Sequence, residues 1–289
     1  MRHTEKANAK INLYLNVVAQ RHDGFHDIES VMQTIDLCDI LHFDLSPSDT
    51  TEISLTFSEP SVLPVDERNL IVRAALAFLA AANKTAKINV LVEKSIPMEA
   101  GLAGGSADAA ATLRALDTML PNLLPAEQLY KIAASLGSDI PFCLVGGRAL
   151  CTGRGEKIEP LPCIGGYFGI IATTEEASST PRAYGQLDKM YNCFNGSIAL
   201  PMNLAERDAL ISVKNGALPP FYNIFEDVVL PLCPRAAEAK ALLTDMGAEA
   251  SMMSGSGPAV FALTKDPALA DKMQIALKDR GFRAERFAF

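Results

Sequence analysis

Residues 94–111, KSIPMEAGLAGGSADAAA, constrain the fold more than any other stretch of the chain. The alternating residues Ile88, Val90 and Val92 lead into it and read as a half-buried strand. Pro97 breaks that strand, and Gly101, Gly104 and Gly105 follow. The alanine-rich run 106–119 then reads as a helix, with Ser106 at its N-cap or in its first turn. Strand, glycine loop and helix start together make an anion site. Glycines let the backbone approach a phosphate, and the first-turn N–H groups have no intrahelical partners. The same residues also fit a glycine-rich turn that only feeds a helix. Other phosphate and nucleophile motifs are absent: there is no G-x-x-x-x-G-K-[ST], no G-x-G-x-x-G, and no G-x-S-x-G around Ser106 or Ser254.

The rest of the chain alternates strands and helices. Ile11, Leu13, Leu15 and Val17 alternate with Asn12, Tyr14 and Asn16, which predicts a strand; Ile53, Leu55 and Phe57 predict another. Residues 69–83 predict a helix capped by Asn69, and 125–137 a helix with Pro125 near its start and Gly137 at its end. GRGEKIEPLPCIGG, 153–166, carries four glycines and two prolines and is the best boundary candidate. Beyond it, 167–173 and 258–264 predict strands, and 234–247 and 267–280 helices. Mixed elements in both halves predict two α+β domains, 1–155 and 156–289, which suits a chain of 289 residues.

Composition removes several function classes. A net charge of -8 argues against a nucleic-acid binder, which carries a basic face. It leaves room for an anionic ligand, because a phosphate site needs only local N–H groups and one or two cations. None of the six cysteines forms a C-x-x-C pair, so zinc and thioredoxin-like readings lack support. Residues 1–10 are polar, without an apolar signal core, and no stretch approaches the roughly 18 apolar residues of a membrane span. The expectation is a cytoplasmic protein with reduced thiols and no membrane or nucleic-acid partner.

Three segments carry a family resemblance. P-x-x-x-G-L-x-G-G-S-x-x-A-A, 97–110, resembles the phosphate loop of the GHMP kinases, the group of galactokinase, homoserine kinase and mevalonate kinase. AKINLYLNV, 9–17, is similar to that family's N-terminal motif, and SGSGPAVFAL, 254–263, to its C-terminal glycine motif. The order and approximate spacing are also the family's. The resemblance implies an α+β, two-domain GHMP kinase fold. Its N-terminal domain would be ribosomal-protein-S5-like and bind ATP, its C-terminal domain would be ferredoxin-like, and the active site would lie in the cleft between them. It implies ATP as co-substrate and Mg²⁺ with ligands unassigned. It places Pro97, Met98, Glu99, Ala100, Gly101, Leu102, Ala103, Gly104, Gly105, Ser106 and Ala107 around the phosphates, with Asn69 and Lys94 elsewhere in the ATP site. Two departures stand out. Ala107 follows Ser106 where many members have a second Ser, and Glu99-Ala100 replaces small glycines of some members.

Further segments resemble one branch of the family, whose substrate is an alcohol linked to cytidine diphosphate: RHDGFHDIESVMQTIDLCD (21–39), RNLIVRAA (68–75), LGSDIPFCLVGGRALCTGRGE (136–156) and STPRAY (179–184). A kinase acting on an alcohol must orient the hydroxyl, accept its proton and neutralise charge on the transferred phosphoryl. The resemblance gives Asp139 the base role and Lys10 the cation. By composition alone, Asp139 is a helix-cap or turn Asp and Lys10 a strand-end Lys with its head in water. In this branch the aromatic of D-G-F-H, here Phe25, stacks on the cytosine, and His26 hydrogen-bonds its edge. Tyr184 would be the second wall, with Thr180, Asn12, Gly255 and Gly257 as further substrate contacts. His22 and His26 are four apart, but the Asp23-Gly24 turn between them argues against a metal pair on a helix. Partners are expected to be small molecules, acting on a monomer or homodimer.

Overall fold

The alternation at 11–17 belongs to a far longer strand. In the computed structural model, which describes residues 1–176, 178–191 and 212–289, strand β1 runs Arg2–Gln20 and β2 runs His26–Pro47. Polar side chains hide the length of β2 from an apolar count. Ser30, Gln33 and Asp39 are buried along it.

The chain forms two compact units: unit 1 is Met1–Ala9, Leu37–Ile96 and Ala103–Gly146, and unit 2 is Lys10–Asp36, Pro97–Leu102 and Gly147–Phe289. In unit 1, β3 (Glu52–Phe57) pairs parallel with β4 (Ala86–Glu93), which pairs antiparallel with β2. The registers Leu41↔Val92, Phe43↔Val90 and Leu45↔Ile88 put six buried apolar residues on one face. The helices of this unit are α1 (Leu70–Ala81), α2 (Gly104–Met119), α3 (Ala126–Leu136) and α4 (Ile140–Val145). Helix α2 packs against α1 and α4. Its buried alanines 107, 109, 110, 111 and 115 present little side chain, so both neighbours approach closely. Asn69 caps α1 as expected: its Oδ1 accepts from the Ile71 N–H at 2.9 Å, while Nδ2 donates to Pro64 O at 2.9 Å.

In unit 2, β5 (Arg148–Gly153) pairs antiparallel with β2 and with β6 (Lys157–Pro160). The glycine- and proline-rich segment therefore includes a hairpin, turned by Gly153 and Gly155 at φ +68 and +112. Next come β7 (Phe168–Thr173), α5 (Thr180–Met190), β8 (Tyr222–Asn223) and the short α6 (Glu226–Val229). They are followed by α7 (Pro234–Asp245), β9 (Ala250–Met253), β10 (Val260–Thr264), α8 (Pro267–Asp279) and β11 (Arg283–Ala288). The sheet order β11-β7-β10-β9 is antiparallel throughout, with α7 and α8 packed on it. From β7 onward, with α7 and α8 as its helices, this is the β-α-β-β-α-β wiring of a ferredoxin-like sandwich. Its core holds Ile170, Ala239, Leu243, Val260, Met273 and Leu277.

Because Asn69 both caps α1 and ties it to Pro64, Asn69→Ala should cost about 1 kcal/mol. A fall in the urea midpoint at unchanged slope checks this; an unchanged midpoint contradicts it.

Candidate active site

Lys10 is 3% exposed, so its ammonium must be paired. Residues two apart on a strand share a face, which brings Asn12 beside it. Lys10 Nζ donates to Asn12 Oδ1 at 2.7 Å and to Gly101 O at 3.0 Å. Asn12 Nδ2 donates to Ser30 Oγ at 2.8 Å, and Ser30 Oγ to Tyr14 O at 2.7 Å. The Lys10 N–H also donates to Leu102 O at 3.1 Å. Backbone and side chain of β1 thus both hold the loop 97–102.

The C-terminal glycine motif meets the same loop. Ser254, fully buried, donates from Oγ to Gly101 O at 3.0 Å. Gly101 sits at φ +75, and a Cβ there would lie 2.0 Å from Ser254 O. Gly255 sits at φ +56, and a Cβ there would lie 2.9 Å from Gly101 O. Glycine is required at both positions by conformation and by space. Gly257, at φ +73, packs against Met253. Thr180 and Ser256 share a hydroxyl hydrogen bond of 2.7 Å, which joins the 179–184 segment to the motif. Asn223, which sequence reasoning missed, holds the motif from behind. Its Nδ2 donates to Met253 O and Gly255 O, both at 2.8 Å, and its Oδ1 accepts from the Phe225 N–H at 3.0 Å. Two residues of strand, paired to β1 at Tyr14↔Tyr222 and Leu15↔Asn223, carry no periodicity to reveal it.

The D-G-F-H segment turns as expected, with Gly24 at φ +84 and Asp23 Oδ1 accepting from the Phe25 N–H at 3.1 Å. Phe25 is half exposed beneath the Arg154 guanidinium, 4.8 Å from its ring centroid. His26 is buried and stacks on Tyr184 at 4.6 Å, and Tyr184 meets Phe225 edge-on at 4.8 Å. Phe25, His26, Tyr184 and Thr180 all lie in unit 2 with Lys10, Asn12 and the glycine motif. Among the described residues, no group of three or more His, Cys, Asp or Glu is placed to hold a metal ion.

Unit 1 contributes the start of α2, Lys94 and Asp139. The N-cap of helix α2 is Ala103, which lies at φ 58, ψ 31 and makes no side-chain capping bond. The first intrahelical bond runs from the Ala107 N–H to Ala103 O at 2.8 Å, so the N–H groups of 104–106 precede the ladder. A left-handed alanine costs about 1–2 kcal/mol.

Lys94 lies between two buried acids, 2.5 Å from Asp39 Oδ2 and 2.8 Å from Asp108 Oδ2. Asp39 Oδ1 also accepts from the N–H groups of Ser95 and Ile96, at 2.6 and 2.8 Å. Burial opposes the Lys94 charge, but the two carboxylates outweigh it and hold its pKa above the ordinary lysine value. Burial pushes the Asp108 carboxyl well up against the pull of Lys94, and the Asp39 charge adds to the rise. Asp39 and Asp108 were not foreseen as partners of Lys94, since 55 residues separate Asp39 from it.

Asp139 stands at the N-cap of α4 but makes no side-chain capping bond. Arg114 clamps that helix from its other end: Nη1 donates to Cys143 O, Nε to Glu5 Oε1 and Nη2 to Lys6 O, each at 2.7 Å. A lone Arg within an alanine-rich helix gave no earlier sign of this.

Residues 69–147 match the GHMP kinases N terminal domain, and residues 191–282 match GHMP kinases C terminal. A 4-diphosphocytidyl-2-C-methyl-D-erythritol kinase of Exiguobacterium sibiricum is 41% identical over 289 residues, spanning 96% of this chain and 93% of the relative. The chain belongs to the GHMP kinases. Within that family, a Listeria monocytogenes protein of the same name is 39% identical, across 96% of this chain and 92% of its own. A solved 4-(cytidine 5'-diphospho)-2C-methyl-D-erythritol kinase superposes at a TM-score of 0.77 with 31% identity, covering 99% of this GHMP kinase and 98% of the other chain. A homoserine kinase from Cytophaga hutchinsonii, 18% identical at a TM-score of 0.68, shares the fold.

The glycines of this kinase separate by what surrounds them. Gly101→Ala should lose about 2–4 kcal/mol of stability, because the backbone must move off Ser254 O. A Cβ at Gly105 meets only Leu70 Cδ1, at 3.6 Å, so Gly105→Ala should keep full stability or gain up to about 1 kcal/mol. Denaturant titration of both variants checks the contrast; equal losses would contradict it.

Proposed function

We propose that the protein transfers the γ-phosphoryl group of ATP to the 2-hydroxyl of 4-diphosphocytidyl-2-C-methyl-D-erythritol, giving the 2-phosphate and ADP in the non-mevalonate isoprenoid route. The observation that carries this reading is 41% identity, over nearly the whole of both chains, to a kinase of that name. The side chains support it chemically. Asp139 is the general base: it takes the hydroxyl proton as the oxygen attacks the γ-phosphorus and the bond to the β–γ bridging oxygen breaks. Lys10 is the cation at the reacting centre, aimed by Asn12 and Gly101 O. The N–H groups at the start of α2 and the loop 97–107 receive the phosphates. Mg²⁺ bound with the nucleotide would neutralise phosphate charge, and its protein ligands are unassigned. Asn69 and Lys94 serve the rest of the ATP site.

Phe25 offers the exposed ring for the cytosine, and His26 the edge contact. Tyr184 is the second ring, with one face against His26. Asn12, Thr180, Gly255 and Gly257 line the remainder of the substrate site. The same proposal divides the chain into 1–155, the ATP half, and 156–289, the C-terminal half; the separate matches at 69–147 and 191–282 support a division between them. Among the described residues no helix is long and apolar enough to cross a membrane. A cytoplasmic location is part of the same proposal.

Asp139→Asn should lower kcat about 10²–10⁴-fold with the cytidine diphosphate alcohol, while ATP affinity changes little. Coupled ADP release and calorimetric ATP titration measure the two. A variant that turns over at the wild-type rate would remove Asp139 from the reaction.

A further inference from the structure

Asp188, in α5, was not among the residues read from the sequence, yet it meets His26 directly. His26 Nε2 lies 2.7 Å from Asp188 Oδ1. The ring cannot swing away easily, because His26 is 7% exposed and its face stacks on Tyr184 with 25° between the planes. Asp188 is itself held: its Oδ2 accepts from Gln20 Nε2 at 3.5 Å.

An ionised carboxylate can only accept. Nε2 therefore carries a hydrogen, and in the neutral ring Nδ1 is left as an acceptor. Among the described residues, no hydrogen bond to Nδ1 is formed. This is how a carboxylate behind an imidazole sets which nitrogen does the work on the other side. We infer that Asp188 determines the preference for cytosine over uracil, by holding His26 in the tautomer whose Nδ1 accepts. The inference rests on the cytidine reading given above. Cytosine presents an N4 amino donor, which an accepting Nδ1 satisfies. Uracil presents an O4 acceptor, which would face Nδ1 with no hydrogen between them and leave both unpaired. Stacking on Phe25 does not separate the two bases, because both have a π-face. Asp188 touches neither the base nor the reacting atoms, so it is a positioning residue.

The test combines selectivity with direct observation of the tautomer. Inhibition constants for CMP and UMP are measured against the cytidine diphosphate alcohol for wild type and Asp188→Asn, with KM for ATP and the melting midpoint as controls. An Asn amide can turn either its oxygen or its NH₂ towards Nε2, so it no longer enforces one tautomer. The preference for CMP over UMP should fall about tenfold, with KM for ATP unchanged. Long-range ¹H–¹⁵N spectra of the His26 ring should show hydrogen on Nε2 alone in wild type, and a shift towards Nδ1–H in Asp188→Asn. An unchanged CMP/UMP ratio in a folded Asp188→Asn overturns the inference. So does a wild-type spectrum with hydrogen on Nδ1, whether as the other tautomer or as the imidazolium. If the variant melts early, the wild-type spectrum decides alone. A wild type with the Nε2–H tautomer that still ignores the difference between CMP and UMP would locate the failure in the cytidine reading, and the inference would fall with it.

Discussion

The carbonyl of Gly101 is the point at which β1, the loop 97–102 and the C-terminal glycine motif meet in unit 2. It accepts from the Lys10 ammonium and from the Ser254 hydroxyl, both at 3.0 Å. A buried lysine is stable only if its charge is met by acceptors, and here Asn12 and a main-chain oxygen supply them. That oxygen is reachable because Gly101 and Gly255 have no side chains and adopt left-handed backbone. The glycines therefore let a main-chain oxygen reach the buried Lys10 ammonium. Asn223 extends the arrangement one layer outward by holding the carbonyls on either side of Ser254.

Unit 1 solves a different electrostatic problem. Lys94 sits between Asp39 and Asp108, two carboxylates with almost no exposure. One lysine cannot fully neutralise both, and the structure divides the burden unequally. Asp39 also receives two backbone N–H bonds, whereas Asp108 Oδ1 is buried without a hydrogen-bond partner among the described residues. Burial raises the Asp108 pKa, Lys94 pulls against it, and the nearby Asp39 charge adds to the rise. The cluster fixes Lys94 close to the start of α2, where a Cβ on Gly104 would lie 3.7 Å from the ammonium. A cation so placed adds to the positive end of the helix dipole.

Local signals were legible where one face of an element is wet. Strand β4 alternates buried and exposed residues without a break, and α1 starts at an Asn whose side chain caps it. The loop at 97–105 was legible because glycine and proline report backbone shape directly. The length of β1 and β2 was not, since both carry buried polar residues whose partners lie far along the chain. For the same reason Asp39, Arg114, Asp188 and Asn223 escaped. Each acts through a hydrogen bond to a residue 20 or more positions away, and spacing along one sequence contains no trace of it. Lys10, Asn12 and the glycines were found through family motifs; the hydrogen bonds that organise them became visible only in three dimensions.

The acceptor alcohol decides the proposed activity most directly. Phosphoryl transfer from radiolabelled ATP is measured across 4-diphosphocytidyl-2-C-methyl-D-erythritol, free 2-C-methyl-D-erythritol, homoserine and mevalonate at equal concentration. Label should pass to the cytidine diphosphate alcohol with a kcat/KM at least about a hundredfold above the others, because under the proposed function only that substrate would engage both the cytosine contacts and the reacting centre. Comparable or faster transfer to homoserine, mevalonate or the free alcohol would contradict it.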